Sequence, residues 1–372
     1  MSASTPPRIF ITAGEPSGDA HAARFMRELR LLLPDVVFEG FGGPAMEMEG
    51  LHSLASMRDL AVSGFVEVAK RYRYFTNLLE TCRSHIVRTK PLAFIPVDYP
   101  GFNLRLAAKV RSPRLPVIWY IAPQLWAWGK RRASTLAASI DQLLVVFPFE
   151  VEFFSRYGIA TEYVGHPLME ILPPPSVRKP DAPIVLMPGS RTQELSRHVP
   201  LLVRTIDELR RSHGDLAFTV PRAPGLATRQ LQPLADAGAS IVDDSSSAMN
   251  AAWAGMIKAG TSTLEATLRG LPYGTFYRTS TVSYHLSKHL IDVSSITLMN
   301  LLLQRNVVHD YIQQDATPAN LAREIVDLSS NTRRRDELID SMNTVRQLLS
   351  SSGASKRAAE IVCETLTRRR NR

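Results

Sequence analysis

The sequence predicts an α/β protein built from two Rossmann-like domains, each with a parallel, doubly wound sheet. Three observations carry this. Short apolar runs alternate with helix-like stretches, a proline-rich break divides the chain near its middle, and the alternation restarts after the break. Strands separated by helices imply parallel pairing. With 372 residues, 45% of them hydrophobic, both halves can bury a core.

In chain order, Arg8 to Ala13 reads as the first strand. Gly14 to Asp19, GEPSGD, is expected as a tight turn. Ala20 to Leu33 follows as a helix with Phe25, Met26, Leu29 and Leu32 on one face. Further strands are expected at Val36 to Phe38, Leu92 to Val97, Val117 to Tyr120 and Leu143 to Val146. Gly14, Gly43, Asp98 and Pro123 fall at the carboxyl ends of such strands, where open α/β sheets bind ligands. The stretch Leu172 to Pro183, with Pro173-Pro174-Pro175, lacks periodicity and reads as a linker. Domains are therefore expected at 1–172 and 173–350. The helix 351–372 is expected either to pack back on the first domain or to exchange with a partner chain as a homodimer.

The second half predicts strands at Ile184 to Met187, Ala217 to Val220, Ser240 to Val242, Gly255 to Ile257 and Tyr273 to Phe276. Thr317-Pro318 marks a helix start, and Ser350 to Gly353 a break. Its opening segment, Leu186 to Glu194 (LMPGSRTQE), is strand, glycine turn and helix start. That arrangement aims free N–H groups and a positive helix end at an anion, with Arg191 at the mouth. The same residues also describe an ordinary strand-to-helix turn with a surface arginine.

The net charge of +9 implies an anionic partner. Nucleic acid is set aside, because the chain has no zinc-finger spacing, no RNP-type motif and no long basic tract. Cys82 and Cys363 make neither a disulfide framework nor a metal cluster, which suits a reducing cytosol. No signal peptide is expected, and no apolar run is long enough to cross a bilayer. Leu60 to Leu79 puts Phe65, Val68, Tyr72, Phe75 and Leu79 on one helical face, with Lys70, Arg71 and Arg73 around them. Such a segment is either a core helix with snorkelling basic residues or a helix that rests on an anionic membrane.

Nine words run in order along the chain: AGEPSGD (Ala13 to Asp19), GGPAM (Gly42 to Met46), VDYPGFN (Val97 to Asn103), APQLWAWGKRR (Ala122 to Arg132), FPFE (Phe147 to Glu150), VGHP (Val164 to Pro167), PGSRTQE (Pro188 to Glu194), AGTSTLE (Ala259 to Glu265) and LMNLL (Leu298 to Leu302). In these words the chain resembles the lipid-A-disaccharide synthase family, inverting glycosyltransferases of the B-type, whose two Rossmann-like domains face each other across a cleft. The resemblance implies transfer of 2,3-diacylglucosamine from its UDP donor to 2,3-diacylglucosamine 1-phosphate. The products would be a β-1,6-linked disaccharide 1-phosphate and UDP. It implies Asp98 as general base, with Glu15 as the second candidate. The family commonly reads DxPDFN here, whereas this chain has Gly101 at the second acidic position.

For the donor, the resemblance implies Ser190 and Arg191 on the diphosphate, and Gly260, Thr261 and Ser262 at a second helix start, which Thr261 and Ser262 are expected to cap while presenting N–H groups to the diphosphate. It implies Glu265 on the ribose and Asn300 lining the cleft. Lys258, just before the AGTSTLE word, reads as a solvated charge. Acceptor and membrane contacts are expected from Phe65, Tyr72, Phe75, Arg71, Arg73, Trp126, Trp128 and Arg131. His166 reads as a hinge, a phosphate contact or a cap. No DxD word appears, so no cofactor or metal is expected. The expected location is cytoplasmic, on the inner-membrane surface. Two rival readings remain: a peptidoglycan-type GlcNAc transferase of the same architecture, and a catalytically impaired binding protein.

Overall fold

The computed structural model describes residues 6–60, 72–127, 129, 132–214, 216–280, 295–350 and 353–370, without the side chains of Arg58 and Arg370. It forms two compact units, one of Met1–Glu170 with Leu349–Arg372 and one of Ile171–Leu348.

The first unit holds a seven-stranded parallel sheet. Its strands are β1 (Arg8–Ala13), β2 (Val37–Gly42), β3 (Leu51–Ser56), β4 (Ala93–Val97), β5 (Ile118–Tyr120), β6 (Gln142–Val145) and β7 (Thr161–Tyr163), in the order β3-β2-β1-β4-β5-β6-β7. The centre is buried on both faces: Ile9, Phe10, Ile11, Phe94, Ile95, Trp119 and Leu144 are fully inaccessible. That is why these strands read as continuous apolar runs rather than as alternation. The helix Ala354–Arg370 packs along the helix Pro16–Leu32. It is tied down by Ser355, whose N–H and hydroxyl donate to Glu170 at 2.7 Å each, and by Arg369, which pairs with Asp141 at 2.6 Å.

The second unit holds a six-stranded parallel sheet of β8 (Ile184–Met187), β9 (Phe218–Pro221), β10 (Ala239–Val242), β11 (Ala254–Lys258), β12 (Tyr273–Tyr277) and β13 (Asp310–Ile312), in the order β10-β9-β8-β11-β12-β13. The segment after Glu170 belongs to this unit. Arg178 donates to the carbonyls of Met249, Asn250, Ala252, Arg269 and Gly270, and so closes the C-terminal ends of two helices.

The structure departs from the sequence expectation at GEPSGD. The helix begins inside it, at Pro16, with Glu15 at the N-cap position. Proline at the first helical position gives up an N–H that has no partner there anyway. Asp19 is then one turn in and buried, and its carboxylate accepts from the N–H groups of Gly43, Ala45 and Met46 at 2.8 to 3.0 Å. It caps the neighbouring helix Pro44–Met48 and so fastens the GGPAM word to the AGEPSGD word.

Candidate active site

Each sheet reverses its strand order once, and the loops leaving the strands on either side of that reversal diverge to open a crevice. In the first unit the reversal lies between β1 and β4. The loop after β1 begins at Gly14-Glu15, and β4 ends at Asp98.

Asp98 and Tyr99 are consecutive left-handed residues, with φ of +46° and +51°. Non-glycine residues avoid this region, at a cost of order 1–3 kcal/mol each, so the surroundings must enforce it. Asn103, fully buried, does much of this. Its Nδ2 donates to the Asp98 carbonyl at 2.7 Å, and its Oδ1 accepts from Thr12 Oγ1 at 2.8 Å. The Asp98 N–H donates to the Tyr120 carbonyl at 3.1 Å, and the Asn103 N–H to the Tyr99 carbonyl at 3.1 Å. The Tyr99 ring lies over Gly14, where any Cβ would overlap it. The Asp98 backbone is thereby fixed at the strand end. Burial, and then the nearby Glu15 carboxylate, push its pKa from 3.8 up to about 6. A carboxylate tuned upward is a better base near neutral pH. Glu15 itself is exposed. Gly101 faces open space, so the missing acidic side chain leaves room behind rather than a filled site.

Behind this edge the APQLWAWGKRR, FPFE and VGHP words meet. Trp126, expected beside the acceptor or membrane, is buried, and its Nε1 donates to Glu150 Oε1 at 2.9 Å. Glu150 Oε2 accepts from the N–H groups of Val146 and Phe147 at 3.3 and 3.1 Å. Burial lifts Glu150 from 4.5 to about 7 against these donors, with the Asp98 charge a minor addition. His166 is a cap: its Nδ1 accepts from the Leu168 N–H at 3.2 Å, and its ring packs on Phe147. Burial drives its pKa down to about 3, which keeps it neutral.

In the second unit the order reverses between β8 and β11. β8 leads through Gly189 (φ +108°) into the helix Thr192–His213, and β11 leads through Gly260 (φ +147°) into the helix Thr261–Leu268. Two helix N-termini thus start from adjacent strand ends at the switch point. Ser190 and Arg191 are exposed at the first. At the second, Gly260 holds the cap position and Thr263 Oγ1 donates to its carbonyl at 2.7 Å. Thr261 and Ser262 are therefore the first helical residues rather than the cap.

Three side chains here differ from the sequence expectation or escaped it. Lys258 is not a free surface charge: its Nζ lies 3.0 Å from Glu194 Oε1 and over the Tyr277 ring. His198, fully buried, joins two loops: its Nδ1 lies 2.6 Å from the Pro188 carbonyl, and its Nε2 accepts from the Arg278 N–H at 3.0 Å. Nε2 also lies 3.1 Å from the Arg278 carbonyl, and burial lowers the pKa of the ring. Asn300, expected to line the donor cleft, is 3% exposed and spent on its own loop. Its Nδ2 donates to Ser295 Oγ and the Val308 carbonyl, and its Oδ1 accepts from the N–H groups of Val307 and Val308. All four of its hydrogen-bonding positions are taken, which leaves none for a ligand. Glu265 sits one turn into its helix, a quarter exposed, with Oε1 held by Arg269.

Residues 9–363 match the family described as lipid-A-disaccharide synthetase. The chain belongs to that family. A lipid-A-disaccharide synthase of Anaeromyxobacter dehalogenans (strain 2CP-C) is 36% identical over 95% of this chain and 96% of its own length. Among solved structures, an S. aureus MnaA–UDP co-structure aligns with a TM-score of 0.66 at 9% identity, covering 99% of this chain and 97% of that one. The kitacinnamycin glycotransferase aligns at 0.64 and 12% identity, covering 98% and 100%. These likenesses show the fold, that of B-type glycosyltransferases. The family makes the protein a glycosyltransferase of lipid A biosynthesis, and the two rival readings are not favoured.

The segment expected to meet lipid in this family member is partly described. Phe65, Arg71, Trp128 and Arg131 lie outside the described residues. The helix Tyr72–Thr89 buries Leu78, Leu79, Cys82 and Ile86, leaving Tyr72 and Arg73 exposed and Phe75 half-buried. Among the described residues no helix is long and apolar enough to cross a membrane. Asn103 and Glu150 were within reach of sequence reasoning, since each is the last letter of a recognised word. Arg269 follows Glu265 at the helical i,i+4 spacing, a signal open to inspection.

Proposed function

We propose that the second unit's switch point holds the UDP part of UDP-diacylglucosamine, and that Asp98 takes the proton of the acceptor hydroxyl on diacylglucosamine 1-phosphate. The anomeric carbon is attacked from the face opposite the departing UDP, so the linkage inverts. The observation that carries this reading is Asp98 itself, held at the first switch point in a left-handed conformation with its pKa raised to about 6. On the donor side, the N-termini at 190–192 and 260–262 offer N–H groups to the diphosphate, and Arg191, with 60% of its side chain exposed, adds a cation. Glu265 accepts the ribose hydroxyls. A UDP co-structure of a protein with the same fold supports a nucleotide site in this architecture.

Both substrates carry acyl chains, so the enzyme works at a cytoplasmic, anionic membrane surface through residues 60–79, with Tyr72, Arg73 and Phe75 in contact. The test measures UDP release from UDP-diacylglucosamine, with and without the acceptor, for wild type and Asp98→Ala. Acceptor-dependent release that collapses in the variant while UDP still binds is the expected result. Release that survives in Asp98→Ala moves the base to Glu15. Release without acceptor dependence removes the acceptor assignment.

A further inference from the structure

We infer that Arg269 is a positioning residue for nucleotide recognition, setting the Glu265 carboxylate to read both hydroxyls of the donor ribose. The inference rests on the ribose role proposed for Glu265. Arg269 is 3% exposed, and four of its five guanidinium N–H groups donate hydrogen bonds among the described residues. Nε and Nη2 both donate to Glu265 Oε1, at 3.2 and 3.0 Å. Nη1 donates to Asn250 Oδ1, and Nη2 also to Ser246 Oγ, each at 2.6 Å. Asn250 and Ser246 lie on the helix Ser245–Ala251, so Glu265 is anchored to a second helix as well as its own.

An ionised carboxylate has about four acceptor positions, two on each oxygen. Arg269 takes both on Oε1. Oε2 keeps two, the number that a pair of adjacent ribose hydroxyls requires, and it makes no hydrogen bond among the described residues. The rigid fork of a guanidinium can saturate one oxygen in a way that the point charge of a lysine cannot. Without it, Glu265 is free to turn, and the hydroxyls lose a fixed acceptor. A mere staple between helices would act on fold stability and leave ribose discrimination untouched.

The experiment measures the affinities of the full-length protein for UDP and 2′-deoxy-UDP and takes their ratio. A hydrogen bond to a charged acceptor makes wild type prefer UDP by roughly tenfold or more. Glu265→Gln and Arg269→Met should each bring the ratio down to about twofold, and the double variant should go no lower. Arg269→Lys should restore little of it. Asn250→Ala, which keeps the Arg269–Glu265 pair but removes one anchor, should give an intermediate ratio even if Arg269→Met does not fold. A wild-type ratio in Arg269→Met, or in Asn250→Ala where Arg269→Met does not fold, with a collapsed ratio in Glu265→Gln, overturns the positioning role alone. A wild-type ratio in Glu265→Gln overturns the ribose reading and the inference with it.

Discussion

Replacing Glu15 with glutamine tests the electrostatics of the first crevice. Two causes hold Asp98 at about 6 rather than 3.8: burial, the larger, and the Glu15 carboxylate. That distance corresponds to about 3 kcal/mol of lost preference for the charged form. A base with this pKa is about one-tenth ionised at pH 5 and about nine-tenths at pH 7, so kcat/KM should rise roughly tenfold between pH 5 and its plateau. Glu15→Gln removes the like charge. The limb should then move below 6 while staying above 3.8, since burial remains, and activity at pH 5 should rise relative to the plateau. The assay is acceptor-dependent UDP release from pH 4.5 to 8.5, with Asp98→Asn as the reference, expected to lose ~10²–10⁴ in rate. An unmoved limb in Glu15→Gln would refute the electrostatic account. Loss of activity at every pH in that variant would instead make Glu15 the base.

Glu150 holds a proton that the unfolded chain releases between about 4.5 and about 7, so its contribution to stability falls as pH rises through that window and is constant above it. Urea titrations of wild type and Glu150→Gln across pH 4.5–8 should differ by this slope, and parallel curves would contradict it. Asn300→Ala strands the N–H groups of Val307 and Val308 and should cost about 1–3 kcal/mol of stability while leaving UDP affinity unchanged; weakened UDP binding in a folded variant would return Asn300 to the donor site. Gly14→Ala forces a methyl into the Tyr99 ring and should lower Tm by the equivalent of about 1–3 kcal/mol, with kcat reduced because Asp98 shifts with its neighbour. Arg191→Ala should raise the donor KM roughly tenfold or more with little change in Tm, as its nearest acid, Glu194, is 3.7 Å away; an unchanged KM would remove it from the diphosphate.

Much of the frame was legible because the central strands are buried on both faces. Ile184–Met187 and Arg8–Ala13 stand out as apolar runs and were bounded to the residue. The strands that escaped are at or near sheet edges. β7 and β13 are three-residue strands, Thr-Glu-Tyr and Asp-Tyr-Ile, with no fully buried position, and β3 is half exposed. A short edge strand takes its identity from its neighbour, a long-range pairing that local pattern does not contain. The site divides in the same way. Asp98 and Arg191 stand at strand ends that periodicity locates. The engagement of Lys258 with Glu194, 64 positions away in sequence, is a tertiary fact, as is the closure of Asn300 on its own loop. Trp126 is expected among the acceptor and membrane contacts because it sits in a basic word, although tryptophan there also suits packing; it is buried, and its indole N–H donates to Glu150.

The segment Leu349–Arg372, with the helix Ala354–Arg370, completes a unit whose other residues are all at or before Glu170. Synthesis therefore delivers the whole of the second unit before the first can finish. Until the helix Ala354–Arg370 has left the ribosome, the face of Pro16–Leu32 that it packs against stays open to solvent or to chaperones. The nascent first unit spends the longest time incomplete, although it emerges first, and the contact between the helices Pro16–Leu32 and Ala354–Arg370 has a sequence separation of over 300 residues, which places it among the slowest kinds of contact to form.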